Sequence, residues 1–212
     1  MKPAREEAGA LTAHDIVTAA AAIIDEGGPH ALTMRRVADA VGVAVTGIYW
    51  HVGNREELLA AVGEHMIARI GTLKAVGETP VERIASLAHQ LRDNLLAHAH
   101  LVGVVHQQAK TGSMFQPVHA AMATELAALG HTGTTAALAL RSLQVHVVGS
   151  VLLERSIERF GPRRDSRAFD AWLGDRSDRV LVEAMSREPD RDELFEYGLQ
   201  SLLATLAAST EI

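Results

Sequence analysis

The sequence predicts an all-α protein: an N-terminal three-helix unit of helix-turn-helix type, then a larger C-terminal helical body. Three observations predict it. Apolar residues recur at helical spacing along almost the whole chain, alternating β-branched runs are few, and Gly, Pro or Asn breaks fall at helical intervals. With 212 residues, 48% of them apolar, the chain can fold into one or two domains with a sizeable core.

The elements follow in order from their caps. Thr12 is a helix N-cap with Asp15 in a capping-box position, Ile16, Ala20, Ile23 and Ile24 form one stripe, and Gly27-Gly28-Pro29 stop the helix. Thr33 caps a second helix whose Met34, Val37, Ala38 and Val41 share a face, and Gly42 supplies the left-handed residue that ends it. Val43 plugs the turn. A third helix starts near Ala44 and buries Ile48 and Val52, leaving Val45, Thr46, Gly47, Tyr49 and His51 to point outward. Asn54 caps the fourth, REELLAAVGEHMIARI, which has acids in its first turn and Leu58, Leu59, Val62, Met66 and Ile70 at core spacing.

A second body is expected to begin near Thr79-Pro80, a cap followed by proline at the first helical position. Ile84, Leu87, Leu91, Leu95 and Leu96 give its first stripe. Helices are then expected over about 100–109, 115–129 and 135–158, a long connection with a broken helix near 179–187 spans 160–192, and a last helix covers 194–208. The domain boundary is drawn at 71/72, giving domains 1–71 and 72–212.

Composition limits function. The absence of cysteine excludes disulfides and thiolate metal sites and fits a reducing cytoplasm. The N-terminus lacks a signal-peptide core and no run of about 18 purely apolar residues occurs, so neither export nor a membrane partner is expected. The net charge of -6 argues against a protein that coats nucleic acid by bulk charge. Charge acts locally, however, over a Debye length of about 8 Å. From Thr33 to Arg55 the charged residues are Arg35, Arg36, Arg55 and Asp39, so this head is mildly basic.

Two short helices around a Gly-Val turn have the geometry in which the second helix lies in the major groove of DNA and the first crosses the backbone. Here the second helix carries Tyr49, Trp50 and His51 together. Gly42-Val43 followed by IYWHVGNREELLAAV resembles the tetracycline repressor (TetR) family of bacterial regulators, and the resemblance is strong over 11–70. It is carried by Thr33, Arg35, Ala38, Gly42, Val43, Tyr49, His51, Asn54, Arg55 and Leu58. LLAHAHLVGVVH and AALALRSLQVHVVGSVLLE are similar in rhythm to the family's ligand-sensing domain. At the end of the fourth helix, where the resemblance implies a drug-contacting histidine, this chain has Gly71, which argues against tetracycline with magnesium as the ligand.

The resemblance implies a DNA-facing set of Thr33, Arg35, Arg36, Val45, Thr46, Gly47, Tyr49, His51, Asn54 and Arg55. Arg35 is the candidate for direct readout, since a guanidinium forked onto guanine is worth about 1 to 3 kcal/mol of discrimination. Val45, Thr46 and Gly47 can meet thymine methyls or admit the backbone closely. Tyr49, His51 and Arg55 are expected at phosphates, and the helix N-terminus at Asn54 is expected to cradle another. Trp50 is expected to wedge against the first or fourth helix.

The eleven histidines show no metal-ligand spacing and no carboxylate cluster beside them, so no metal and no cofactor is expected. His106, Gln107, Gln144, His146 and Glu154, with Phe115 and Met122 as wall, are expected to line an apolar pocket for a small-molecule effector. Satisfied core histidines are the competing reading. The resemblance implies a homodimer in which the last two long helices build a four-helix bundle with their copies. Leu143, Val147, Gly149, Val151, Leu199, Leu202 and Leu206 are its candidate interface, against burial within their own domain. No nucleophile and base assemble by spacing, so an enzyme is not expected. The sequence thus reads as a ligand-responsive regulator on a palindromic operator of double-stranded DNA, a repressor in its commonest form. A helical small-molecule or protein-binding module with a vestigial DNA head is the alternative.

Overall fold

The computed structural model describes residues 11–160, 179–187 and 190–208, all helices and connections. The helices are α1 Ala13–Gly27, α2 Met34–Val41, α3 Val45–Val52, α4 Arg55–Ile70, α5 Pro80–Ala97, α6 Ala99–Gln107, α7 Thr111–Ala128, α8 Gly133–Phe160, α9 Arg179–Ser186 and α10 Arg191–Ala208. The segment 161–178, most of the expected long connection, lies outside the described residues.

Local chemistry sets these boundaries. At α1 the Thr12 hydroxyl accepts from the Asp15 amide at 3.2 Å and the Asp15 carboxylate accepts from the Thr12 amide at 2.9 Å, closing a capping box. Gly42 ends α2 at φ 72° and ψ 32°, a left-handed conformation that a Cβ would disfavour. Asn54 Oδ1 accepts from the amides of Glu56 and Glu57, and the Glu57 carboxylate accepts from the Asn54 amide at 2.8 Å. The last helix begins at Arg191 rather than Leu194, because Asp190 caps it through the amides of Asp192 and Glu193.

The chain forms two compact units that are not consecutive stretches. The first holds residues up to 73 together with 94–118, and the second holds 74–93 with residues from 119 onward. In the first unit Ile16, Ile24, Leu32, Val37, Ile48, Leu58, Val62 and Met66 make the core. There α6 packs on α1 and α4, and three polar joints fix it. His98 Nδ1 meets Asp25 Oδ2 at 2.5 Å, Gln108 donates to the Leu59 carbonyl at 2.7 Å, and Lys110 pairs with Glu64 at 2.6 Å.

In the second unit α8 packs along α10. Arg92 of α5 donates through Nε to Glu154 of α8 at 3.0 Å, pairs with Asp192 of α10 at 2.7 Å, and lies 4.6 Å from the centroid of Phe195. Both Arg92 and Glu154 are buried. Burial opposes the Arg92 charge, but its bonds to Glu154 and Asp192 outweigh this and hold its pKa above the ordinary arginine value.

Candidate nucleic-acid interface and the surfaces beside it

Residue by residue, α3 turns through about 100°, so positions two before and two after the buried Ile48 stand nearly opposite it. Those positions are Thr46 and Trp50. Both are exposed, Trp50 by 90%, and they form the outward ridge of the helix. The expected packing of Trp50 against α1 or α4 is therefore corrected: helical phase carries the indole away from the core. Val52 is only half-buried. Tyr49 and His51 flank the ridge and are exposed, while Val45 and Gly47 are half-buried at its sides.

The arginines of the head divide into free and engaged groups. Arg35 is exposed, and among the described residues its guanidinium has no hydrogen bond or ion pair. Arg36 donates to the Ala31 carbonyl at 3.3 Å. Arg55 donates to the carbonyls of Leu32 at 3.2 Å and Pro29 at 2.9 Å, tying α4 to the turn before α2. These bonds give Arg55 a structural part beside the expected phosphate contact: they hold the first carbonyl and the C-cap carbonyl of the 3-10 turn Pro29–Ala31. At Asn54 the correction concerns the expected cradle of amides alone. Its side chain and that of Glu57 already occupy three amides at the start of α4, leaving a poor cradle for a phosphate. Thr33 is exposed, with its hydroxyl accepting from the Arg36 amide at 3.1 Å.

The seven residues expected around an effector fall in both units: His106, Gln107 and Phe115 in the first, Met122, Gln144, His146 and Glu154 in the second. His106 and Gln107 are exposed at the end of α6, and Phe115 and Met122 are buried as core. Gln144 is half-buried. His146 and Glu154 do share a cleft of about 360 Å³ between α8 and α10, together with Phe195 and Gly198. Their polar atoms are engaged, His146 with the Phe195 carbonyl at 2.9 Å and Glu154 with Arg92. Among the described residues no group of three or more His, Asp or Glu is placed to hold a metal.

The expected dimer residues are corrected by one step of helical phase. Leu143, Val147, Val151, Leu199 and Leu206 are buried inside their own unit, and Leu202 is half-buried. The outward stripe of α8 is Leu138, Val145 and Leu152, spaced seven apart, with Gly149 and Leu153 beside it and Leu194 and Tyr197 on α10. Sequence pattern shows two apolar stripes on α8 and cannot say which faces its own core. Over Gly133–Arg155 this helix is also long and apolar enough to cross a membrane by length and composition, though only 17% of that stretch is buried.

An exposed reading helix behind a glycine turn, on a helical frame, defines the helix-turn-helix class of transcriptional regulators. Residues 16–62 match the family of bacterial regulatory proteins called the tetR family, and residues 76–210 match the tetracyclin repressor-like C-terminal domain. The chain belongs to this family. It is 27% identical over 199 residues to the class A tetracycline repressor protein of Escherichia coli, covering 93% of this chain and 91% of that one. Among solved structures it resembles a possible TetR family transcriptional regulator of Streptomyces coelicolor A3(2), with TM-score 0.66 and 27% identity over 93% of this chain and 99% of that one. It also resembles the TetR family protein ActR of Streptomyces coelicolor, solved with actinorhodin, with TM-score 0.67 and 25% identity over 96% of this chain and 100% of that one.

Proposed function

We propose that this protein is a homodimeric repressor that grips a pseudo-palindromic operator with two heads and releases it when a small molecule binds. The observation that carries the reading is the outward ridge of α3, Thr46 and Trp50, together with the exposed Arg35 of α2. One such head makes few phosphate contacts and binds weakly. Two heads about 34 to 36 Å apart engage successive major grooves and convert two weak grips into one tight one. The exposed stripe of Leu138, Val145 and Leu152 is the surface offered to a second copy, and it accounts for the apolar length of α8 without a membrane.

For release, the domain division at 71/72 gives way to a functional one in which α6 belongs with the head. A ligand that displaces α6 acts on α4 through Gln108 and Lys110 and on α1 through His98. Coupling in the usual range of about 1 to 3 kcal/mol weakens DNA binding about 5 to 150-fold. ActR, solved in complex with actinorhodin, is a similar protein that binds a small molecule. Intracellular action in the cytoplasm goes with this role.

Selection of duplexes from a random pool by the purified full chain, followed by titration of the enriched site, tests the proposal. Enrichment of a site with two related halves is expected, and Arg35→Glu should abolish its binding. If Arg35→Glu binds as the wild type does, the head does not read DNA in this way.

A further inference from the structure

We infer that α3 reads its operator chiefly by apolar contact, with Thr46 and Trp50 sensing the C5 methyl groups of thymine in the major groove. The inference rests on the DNA-binding reading above and adds the base that the helix selects.

Three observations converge on it. The sequence of α3, VTGIYWHV, contains no Arg, Lys, Asn, Gln, Asp or Glu, the side chains whose hydrogen bonds distinguish guanine, adenine and cytosine at their major-groove edges. Of the three neighbouring arginines, Arg36 and Arg55 donate to the carbonyls of Ala31, Pro29 and Leu32, which leaves Arg35 of α2 alone without such a bond. What α3 presents instead is an indole exposed by 90% and, one turn earlier on the same ridge, the hydroxyl and methyl of Thr46. Gly47 lies between them without a side chain, so nothing on that flank holds the ridge away from the groove floor.

The chemistry of the groove completes the argument. Thymine alone offers an apolar group there, and burying that methyl against Trp50 removes apolar surface of both partners from water. An exposed tryptophan gains little from water, and it gains most where a second apolar surface covers it. Arg35, reaching from α2, remains available for a guanine or a phosphate at the edge of each half-site.

Deoxyuridine deletes the methyl and nothing else, which gives a direct test. Each thymine of the site enriched by the wild type is replaced in turn by deoxyuridine, and binding is measured for wild type, Trp50→Ala and Trp50→Phe. The wild type is expected to lose about fourfold in affinity per contacted methyl, the equivalent of one methylene removed from apolar contact. Trp50→Ala should lose discrimination between thymine and deoxyuridine at one or more of these positions, those left being the share of Thr46, and Trp50→Phe, which keeps an apolar ring without the indole N–H, should retain discrimination at all of them. Because the side chain is exposed, thermal midpoints should be unchanged, which separates a reading defect from a folding one. Equal binding of both forms by the wild type at every position overturns the inference while leaving DNA binding intact. Loss of affinity in Trp50→Phe for both forms equally also overturns it, by assigning the indole N–H to a phosphate. Failure to enrich any duplex overturns the DNA-binding reading and this inference with it.

Discussion

Gly198 on α10 lies directly against the imidazole of His146 on α8: a Cβ at that position would fall inside van der Waals contact of Cε1 and 2.9 Å from Nδ1. The imidazole cannot easily yield. It stacks on Phe195 with ring centroids 5.0 Å apart and bonds the Phe195 carbonyl at 2.9 Å. Gly198→Ala should therefore destabilise the protein by about 1 to 3 kcal/mol, the usual cost of overpacking. In a His146→Ala background the same change should be neutral or stabilising, since alanine is the better helix former. Chemical denaturation of the four proteins in the cycle checks this, and a penalty that persists without His146 would count against the contact.

Arg92 and Glu154 share a buried pair that ties α5 to α8. Truncating Arg92 leaves a carboxylate buried without its cation, so Arg92→Ala should cost about 3 to 5 kcal/mol. Glu154→Gln keeps an acceptor and should cost less. Thermal midpoints of the two variants, measured side by side, decide the order.

Acid should destabilise the first unit through His65. Burial first, then the neighbouring charges of His14, Arg69 and His98, hold its pKa below the ordinary histidine value, and none of those neighbours is an acid. The His14 and His65 ring centroids lie 5.9 Å apart. The unfolded chain thus binds this proton more readily than the folded one. The contribution of His65 is present above the unfolded value of about 6.5 and is lost as pH falls below it. His119, lowered by burial, acts with the same sign. Thermal midpoints followed downward from neutral pH should fall in the wild type and fall less in His65→Gln. Parallel curves would remove His65 from the account.

Val145 is exposed by 72% at the centre of the outward stripe of α8. A carboxylate placed there should oppose pairing of two copies while leaving each chain folded. Val145→Glu is expected to sediment as a monomer and to lose about 10² to 10⁴-fold in operator affinity, the range of an avidity effect. A dimeric Val145→Glu with unchanged binding would direct attention to another face.

Arg55→Ala should lower stability, whether or not it changes the salt dependence of DNA binding. Its guanidinium serves two carbonyls of its own chain, and charged hydrogen bonds of this kind are worth about 1.5 to 3 kcal/mol in total when partly shielded. An unchanged thermal midpoint would count against that structural part, and a salt slope smaller by about one unit would show the phosphate contact.

Much of the fold was legible because it is written locally. Thr12 with Asp15, Thr33 with Gly42, and Asn54 with Glu57 fix helix ends by bonds spanning a few residues, and those ends fall where the caps put them. The reading unit was legible for the same reason. The candidate sites were less so, since they depend on which way a helix is turned. Trp50 reads as core by composition and stands in solvent by phase. Arg55 reads as a phosphate ligand by type, yet its partners are carbonyls at positions 29 and 32, more than twenty residues earlier.

By itself the sequence determined the helices, their caps, the turn at Gly42 and the family to which the chain belongs, because backbone hydrogen bonds and apolar periodicity act over one or two turns. Tertiary structure alone decided which stripe of α8 faces inward, that α6 joins the head, and which arginine is left free. Those outcomes depend on contacts between residues distant in the chain, such as Asp25 with His98 and Arg92 with Glu154, whose pairing no local pattern encodes.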